Sequence, residues 1–241
     1  MNRIDVLGVG FDDLTMDEAV ETALGFTETR QTRYVCTPNP EIVMAARENA
    51  SLAAALESAD LILADGVGVT KAAAMLHTPL KSRVPGIDFA QHLMARLAER
   101  GGSVYFFGSK PGVAEEAAQN VSERFPGLRI VGMSDGYFKD DAPIIEKINA
   151  ASPDFLMVCL VAPKQELWMQ ANTGKISCGV MAGLGGSLDV LAGRVERAPE
   201  TWRKLGLEWL YRVIKEPKRI GRIAKLPLFV LEAAAAGRRR R

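Results

Sequence analysis

Short apolar runs alternate with segments of helical periodicity along most of the chain. The β-prone runs cover residues 33–37, 60–64, 103–107, 129–133, 154–161 and 176–182. The helical patterns cover residues 19–27, 40–48, 72–76 and 89–100, and another helix is expected near Pro111. Buried strands that alternate with helices are typical of a parallel sheet covered on both faces. The pattern predicts a Rossmann-like α/β fold with a mainly parallel sheet, followed by a helical C-terminal appendage.

Two helix starts carry specific signals. Thr15 is followed three residues later by Glu18, which is the spacing of a capping box. Asn39 precedes Pro40, and proline is favoured in the first turn of a helix that begins with an asparagine cap. Because residues 33–37 predict a strand, the segment Thr37 to Glu41 marks a strand end that leads directly into a helix. Its polar residues either start that helix or also contact a ligand.

The charge is distributed unevenly. The net charge of the whole chain is +1, but residues 194–241 hold 14 Lys and Arg against 5 Asp and Glu, a net of +9, and the preceding residues have a net of −8. We therefore divide the chain into an α/β domain at 1–193 and a basic appendage at 194–241. A basic segment of this kind points to an anionic partner, either a membrane surface or a nucleic acid.

Composition places the chain among ordinary globular proteins. Its 241 residues are 48% hydrophobic and 24% charged, enough for one sizeable core. The first residues lack a secretory h-region, and no apolar run reaches the roughly 18 residues of a spanning helix. Cys36, Cys159 and Cys178 are widely spaced in apolar surroundings, so we expect reduced thiols and a cytosolic compartment.

Ligands of open α/β sheets bind beyond the carboxyl ends of the strands. The polar and glycine-rich residues expected there are Thr37, Asn39, Asp65, Gly108, Ser109, Asp135 to Tyr137, Pro163 to Glu166, and Gly183 to Ser187. Each group is also explained by a purely structural role, as a helix cap, a turn or a solvated loop. A Walker A motif is absent, and the sequence from Gly183 lacks the full GxGxxG spacing because position 188 is leucine. No Asp-x-Asp is present to hold a cation against a diphosphate, and the two histidines predict no metal site.

The order of several motifs identifies a family. The motifs are TPNPEIVMAAREN, ADLILADGVGVTKAAAMLH, RVPGIDF, VYFFGSKPGVAEEAA, DGYF, APKQELW, and GLGGSLDVLAGRVERAPETWRKLGLEWLYRVIKEPKR. Together they closely resemble the WecG/TagA/CpsF family of bacterial glycosyltransferases, from about residue 5 to residue 227. The resemblance implies inverting, metal-independent and cofactor-free transfer of N-acetylmannosamine or a related sugar. The donor would be a UDP-sugar and the acceptor a sugar on polyprenyl diphosphate, in teichoic acid, common antigen or capsule synthesis.

The resemblance also implies a catalytic set. The base maps onto Asp65 of the DG motif, and the accompanying polar residues map onto Thr37, Asn39 and Arg83. Such a reaction needs a base for the acceptor hydroxyl and positive groups for the departing diphosphate. In this interpretation Asn39 caps a helix and faces the pocket as well.

The donor residues are predicted partly from physical chemistry and partly from the resemblance. Gly108 and Ser109 begin a turn that could bind phosphate or ribose, and Tyr137, next to Gly136, could lie against the base. Further candidates are Gln165 and Glu166 for hydrogen bonds to base or sugar, and Gly183, Gly185 and Asp189, which resemble the family's nucleotide loop. For Asp189 the alternative is charge compensation at a helix start.

The appendage predicts membrane binding. Its basic residues interleave with Trp and Leu, as in interfacial helices on anionic lipid, although a helix packed on the body would give a similar pattern. The resemblance places Arg212, Arg219 and Arg222 near the acceptor diphosphate, and the protein on the inner face of the plasma membrane. Nothing in the body supports a nucleic-acid partner, and a homo-oligomer is compatible with the sequence. Two alternatives stay open: a nucleotide-binding regulatory module in which Asp65 is structural, and a nicotinamide-dependent dehydrogenase.

Overall fold

The structure is a computed structural model that describes residues 3–29, 31–216, 221 and 225–239. The strands are β1 Arg3–Val6, β2 Val9–Asp12, β3 Arg33–Cys36, β4 Leu61–Ile62, β5 Ser103–Gly108, β6 Arg129–Ser134, β7 Phe155–Cys159 and β8 Val180–Gly183. The helices of the first half are α1 Met16–Thr29, α2 Pro40–Glu48, α3 Ala50–Glu57, α4 Val67–Met75, α5 Gly86–Ala98 and α6 Val113–Arg124. The later helices are α7 Ala142–Ala151, α8 Lys164–Asn172, α9 Ser187–Leu191, α10 Glu200–Lys204, α11 Glu208–Lys215 and α12 Lys225–Arg239.

Six strands form one parallel sheet in the order β4-β3-β8-β7-β5-β6. One face of the sheet packs on α2, α3, α4, α7 and α8, and the other packs on α1, α5, α6 and α9. The predicted α/β architecture with helices on both faces is therefore confirmed. No strand follows β8 in the described residues, so this sheet is complete before Arg194.

Two pairs of neighbouring strands are followed by helices that pack on opposite faces of the sheet. The helix after β3 packs on one face and the helix after β8 on the other, and the neighbours β7 and β5 differ in the same way. Open α/β sheets bind ligands beyond the carboxyl ends of such strand pairs, where the two connections leave toward opposite faces. The fold therefore supplies two places for a ligand along one edge of the sheet.

Both predicted helix starts are confirmed. The Glu18 carboxylate accepts from the Thr15 backbone N–H at 2.8 Å, and the Thr15 hydroxyl accepts from the Glu18 N–H at 3.3 Å. Helix α2 covers the predicted residues 40–48, with the Asn39 side chain accepting from Ile42 N–H at 3.0 Å. The sequence predicts these helix starts because the capping residues lie within a few positions of them and accept from backbone N–H groups that a helix start leaves without partners.

Several segments differ from the sequence pattern, among them the helices α3 and α7, which it did not predict, and two segments that concern strands. Residues 3–12 form an antiparallel hairpin that the pattern did not predict, with Leu7 and Gly8 at positive φ in its turn. The run 176–182 becomes a strand only at Val180. Before that point the backbone N–H groups bond to side chains and not to a neighbouring strand. Ser177 N–H donates to the Asn149 side chain, and Cys178 N–H donates to the Thr32 hydroxyl.

The last helix, α12, packs against the body through α4 and α2. Phe229 and Ala233 are fully buried and belong to the same apolar core as the residues of α2 and α4. Gly237 allows the closest contact, because a Cβ atom there would lie 2.1 Å from the Met75 carbonyl oxygen. The boundary at residue 194 stays a prediction, and the appendage that follows it contributes buried side chains to the core of the body.

Candidate active site

A cavity of about 360 Å³ lies beyond the carboxyl ends of β3 and β4, between the body and the appendage. The body contributes Asn39, Pro40, Glu41, Asp65, Gly66, Val67, Gly68, Lys71, Arg83, Pro85 and Ile87. The appendage contributes Gly206, Glu208, Trp209, Arg212, Leu226 and Val230. We call this space the carboxylate–arginine cavity. It brings three of the four residues predicted as catalytic into one enclosure with Arg212.

Asp65 enters the cavity from the turn between β4 and α4. Gly66 follows it with φ of 97°, a left-handed conformation that glycine adopts without strain, and α4 begins at the next residue. The Asp65 side chain is 34% exposed. Burial in the cavity raises the pKa of its carboxyl, although Arg83 and Arg212 act in the opposite direction. A carboxylate with a raised pKa is a better proton acceptor than one of ordinary acidity.

Arg83 lies beside Asp65 because the two loops are joined. The Val84 N–H donates to the Ala64 carbonyl at 3.0 Å, which joins the residue after Arg83 to the residue before Asp65. The Nη2 atom of Arg83 is 4.0 Å from Asp65 Oδ1 and donates to Glu208 Oε2 at 3.0 Å. Its buried Nε has no hydrogen-bond partner among the described residues, so an anion bound beside Arg83 would supply the missing acceptor.

The appendage supplies the other charged groups. Glu208 accepts a second hydrogen bond from Arg212 at 3.0 Å, one turn further along α11. Arg197 donates to both carboxylate oxygens of Asp88, at 2.6 and 3.1 Å, and its Nε lies 4.0 Å from Glu208. Three guanidinium groups therefore surround Glu208, within electrostatic reach of Asp65, and guanidinium groups suit the binding of phosphate oxygens.

Thr37 and Asn39 have different positions. Asn39 caps α2 and lines the carboxylate–arginine cavity. Thr37 is buried, and its hydroxyl donates to the Gly183 carbonyl at 2.9 Å, so it joins the ends of β3 and β8. A Cβ atom on Gly86 would lie 2.9 Å from that hydroxyl, which places Thr37 directly behind the start of α5.

The predicted donor residues form a second group, the glycine loop cluster, which we define as Ser109, Gly136, Gln165, Gly185 and Asp189. The Ser109 hydroxyl donates to Asp189 Oδ2 at 2.7 Å, and its carbonyl accepts from Gly136 N–H at 2.9 Å. The Gln165 carbonyl oxygen accepts from Gly185 N–H at 2.9 Å. Loops after β5, β6, β7 and β8 are thus hydrogen-bonded to one another at the sheet edge.

The remaining donor candidates border this cluster. Gly108 packs so closely on β7 that a Cβ atom would lie 2.2 Å from the Cys159 carbonyl oxygen. Glu166 is buried, accepts from Gln165 Nε2 at 2.8 Å, and has its carboxyl pKa raised by burial. Gly183 packs against Gln165, and its carbonyl oxygen accepts from the Thr37 hydroxyl at 2.9 Å. Tyr137 is 70% exposed at the rim, where a planar ring can stack on a ligand.

Sequence reasoning missed Glu208, Arg197 and Asp88. All three lie within quoted motifs, but no spacing rule indicates that Glu208 contacts Arg83, which is 125 positions away. The sequence indicates only the contact between Glu208 and Arg212, because oppositely charged residues spaced i,i+4 on a helix lie next to each other. Arg219 and Arg222, predicted near the acceptor, lie outside the described residues.

Among the residues that the structure describes, no cluster of His, Cys, Asp and Glu is arranged to hold a metal ion. The helices in that part of the chain are each too short or too polar to cross a membrane.

A parallel α/β sheet with a carboxylate and several guanidinium groups beyond its strand ends defines an enzyme suited to group transfer from a phosphorylated substrate. Comparison with known proteins gives the family. The chain matches the family model described as "Glycosyl transferase WecG/TagA/CpsF family" over residues 4–241, and it belongs to that glycosyltransferase family.

Curated relatives resemble the chain over nearly its whole length. An N-acetylglucosaminyldiphosphoundecaprenol N-acetyl-beta-D-mannosaminyltransferase of Staphylococcus aureus strain MW2 is 34% identical over 239 residues. That alignment covers 98% of this chain and 94% of the relative. The protein of the same name from strain NCTC 8325 / PS 47 has the same identity and coverage.

Proposed function

We propose that this glycosyltransferase moves N-acetylmannosamine from a UDP donor to N-acetylglucosamine on a polyprenyl diphosphate. The acceptor and the sugar follow from what the Staphylococcus aureus relatives are named for. The observation that carries the proposal is the carboxylate–arginine cavity, where Asp65 meets Arg83 and Arg212. The UDP donor is supported by the glycine loop cluster beside it.

Asp65 is the general base of the proposed reaction. It takes the proton of the acceptor hydroxyl while that oxygen attacks the anomeric carbon and the bond to the diphosphate breaks. One displacement of this kind inverts the anomeric configuration. The raised pKa of Asp65 supports this role, because a more basic carboxylate takes up the proton more readily.

Arg83 stabilises the negative charge on the leaving diphosphate, and Arg212 adds positive charge from the acceptor side, where the resemblance places it. Their guanidinium groups supply positive charge at the position where a metal-dependent transferase uses a cation, which supports metal-independent catalysis. Arg83 Nε is already buried without an acceptor among the described residues, so binding a phosphate oxygen there would satisfy it. Asn39 orients the acceptor at the cavity wall, and Thr37 holds β3 and β8 together behind it.

The UDP moiety occupies the glycine loop cluster. Backbone N–H groups near Ser109 and Gly185 suit phosphate oxygens, and Asp189 suits ribose hydroxyls. Tyr137 is exposed and free to stack on the uracil. Gln165 and Glu166 form hydrogen bonds with polar groups of the base or the sugar.

The appendage binds the inner face of the plasma membrane and brings the enzyme to its lipid-linked acceptor. Helix α12 presents Leu228 and Leu231, which are 48% and 67% exposed, and ends with basic residues at Arg238 and Arg239. A helix with exposed leucines and a basic last turn favours an interfacial position on anionic lipid. Flotation of the protein with anionic vesicles at low salt and its release at high salt would support this part.

The transfer itself is tested with UDP-N-acetylmannosamine and a short-chain polyprenyl-diphosphate N-acetylglucosamine. We expect release of UDP together with a disaccharide product, and weaker turnover with other UDP-sugars in a panel. Tight UDP binding without any transfer would favour a nucleotide-binding regulatory module instead.

A further inference from the structure

Glu208 lies at the centre of the charged groups of the carboxylate–arginine cavity. One carboxylate oxygen accepts from Arg83 of the body and the other accepts from Arg212 of the appendage, each at 3.0 Å. Arg197 approaches the second oxygen at 4.0 Å. Glu208 is only 7% exposed. It therefore joins arginines from both parts of the chain through one buried carboxylate.

The position of Glu208 is fixed by the fold of the appendage. Gly206 has φ of 71°, and a Cβ atom there would lie 2.9 Å from a methyl group of Val67 at the start of α4. This close approach sets the turn before α11 directly against the residues that follow Asp65. Glu208 is the first residue of α11, where the helix dipole favours a negative charge.

A buried carboxylate is costly unless its partners compensate for the lost hydration. Burial alone would raise the pKa of Glu208, but Arg212, Arg83 and Arg197 outweigh that effect and the pKa lies below its usual value. Glu208 is therefore ionised at neutral pH. It offsets part of the positive charge of the arginines when no phosphate is bound.

We propose that Glu208 is a positioning residue for sugar transfer, holding Arg83 and Arg212 beside Asp65 without letting either arginine pair closely with it. The inference rests on the proposed role of Asp65 as the base. In the structure Arg83 Nη2 is 3.0 Å from Glu208 but 4.0 Å from Asp65, so the hydrogen bond goes to Glu208.

Loss of the Glu208 charge has two consequences for Asp65. Arg83 and Arg212 lose their nearest acceptor and move toward the remaining carboxylate, and a like charge disappears from its surroundings. Both changes favour ionised Asp65, so both lower its pKa and weaken it as a base. The charged groups that face Asp65 from the packed elements are Glu41 of α2, Lys71 of α4, Arg83 and Arg197 of the loops, and Glu208 and Arg212 of α11.

The experiment compares Glu208→Gln with wild type in the full-length enzyme. We expect kcat to fall about 10²-fold, because misplacing catalytic groups by about an ångström has that effect. We also expect the acid limb of the kcat/KM profile to move to lower pH. Wild-type kcat, or a reduced kcat with an unmoved acid limb, would overturn the inference.

The matched control is Glu200→Gln on the neighbouring helix α10. Glu200 is 68% exposed and pairs only with Lys204 at 2.8 Å in the described structure. The same chemical change is made there in the same appendage, and we expect wild-type kcat and pH profile. An equal loss of activity in both variants would also overturn the specific role of Glu208.

Glu208→Asp covers the case in which the glutamine variant does not fold. It keeps the charge but shortens the reach, so we expect a reduced kcat with the acid limb near its wild-type position. Full activity in a folded Glu208→Asp variant would contradict a positioning role. Thermal unfolding monitored by circular dichroism establishes which variants are folded.

Asp65→Asn measured in the same assay separates the two proposals. If Asp65→Asn retains near-normal turnover, the proposed base is wrong and the inference about Glu208 fails with it. If Asp65→Asn is inactive while Glu208→Gln behaves like wild type, the base assignment stands and only the positioning role is wrong.

Discussion

The carboxylate–arginine cavity and the glycine loop cluster lie along the same edge of the sheet but are built differently. The cavity is closed by residues from the body and from the appendage, and its key contacts join charged side chains such as Arg83 and Glu208. The cluster is made from the body alone, by hydrogen bonds between loops that follow neighbouring strands, such as Ser109 to Asp189. Nucleotide binding is therefore expected to depend on the body, whereas transfer also needs the appendage.

The largest expected effect comes from Asp65→Asn. The substitution keeps the size of the side chain and removes the proton acceptor, so we expect kcat to fall on the order of 10²–10⁴-fold. UDP affinity, measured by calorimetry, should stay close to wild type because the glycine loop cluster is untouched. Near-normal turnover would contradict the assignment and would remove the functional contrast between the two regions.

The raised pKa of Asp65 predicts the pH dependence of wild-type activity. Transfer needs the ionised form, so kcat/KM should fall as pH decreases through a pKa above the ordinary aspartate value. The effect on stability has the opposite sign. A carboxyl with a raised folded-state pKa stabilises the fold below the unfolded-state pKa, and that stabilisation is lost as pH rises. At neutral pH we therefore expect Asp65→Asn to melt no lower than wild type, and a large drop in melting temperature would indicate a structural Asp65.

The next largest effect concerns the coupling of the appendage to the body. Phe229 is fully buried against the core that α2 and α4 share. We expect Phe229→Ala to lower the free energy of unfolding by about 3–5 kcal/mol, with a fall of roughly 2–4 °C in melting temperature for each kcal/mol. Transfer should weaken as the cavity wall loosens, while UDP binding persists.

Leu231→Ala on the same helix is the control for Phe229→Ala, because Leu231 is 67% exposed. We expect little change in its thermal unfolding. If Phe229→Ala unfolds like wild type, the appendage contributes nothing to the stability of the body and behaves as an independent segment.

A smaller effect is expected in the glycine loop cluster. Asp189→Asn keeps the shape but loses the charged acceptor for Ser109 and for ribose hydroxyls. We expect this variant to bind UDP about tenfold more weakly, which corresponds to a loss of about 1.4 kcal/mol in binding free energy. kcat at saturating donor should change little. A large fall in kcat with unchanged UDP affinity would assign Asp189 to the transfer step. It would contradict the view that the glycine loop cluster binds the nucleotide and the carboxylate–arginine cavity performs the transfer.

The smallest expected effect is that of a chelator. If Arg83 and Arg212 supply the positive charge for the diphosphate, EDTA should leave turnover unchanged. The measurement is UDP release with and without EDTA, followed by addition of Mg²⁺ or Mn²⁺. Activity that disappears with chelator and returns with the cation would show that a metal, rather than arginine alone, compensates the leaving group.

The sequence by itself determined the local structure of the fold and many of the candidates. The cap at Asn39, the capping box at Thr15 and the alternation of strands and helices depend on neighbours a few positions apart, so they are visible in a linear chain. Parallel strands then bring their carboxyl ends to one edge, so the strand pattern alone predicts that Asp65 and Ser109 lie along that edge.

Only the tertiary structure decided which of those residues meet. The hairpin of residues 3–12 was missed because its turn at Leu7 and Gly8 carries no common hairpin signal. Glu208 was missed because its contact with Arg83 joins segments 125 positions apart. The sequence pattern of the appendage fits both a membrane helix and a packed one, and burial of Phe229 shows that one face of α12 is packed on the body. Contacts between distant segments depend on how whole helices pack, and no local spacing encodes that arrangement.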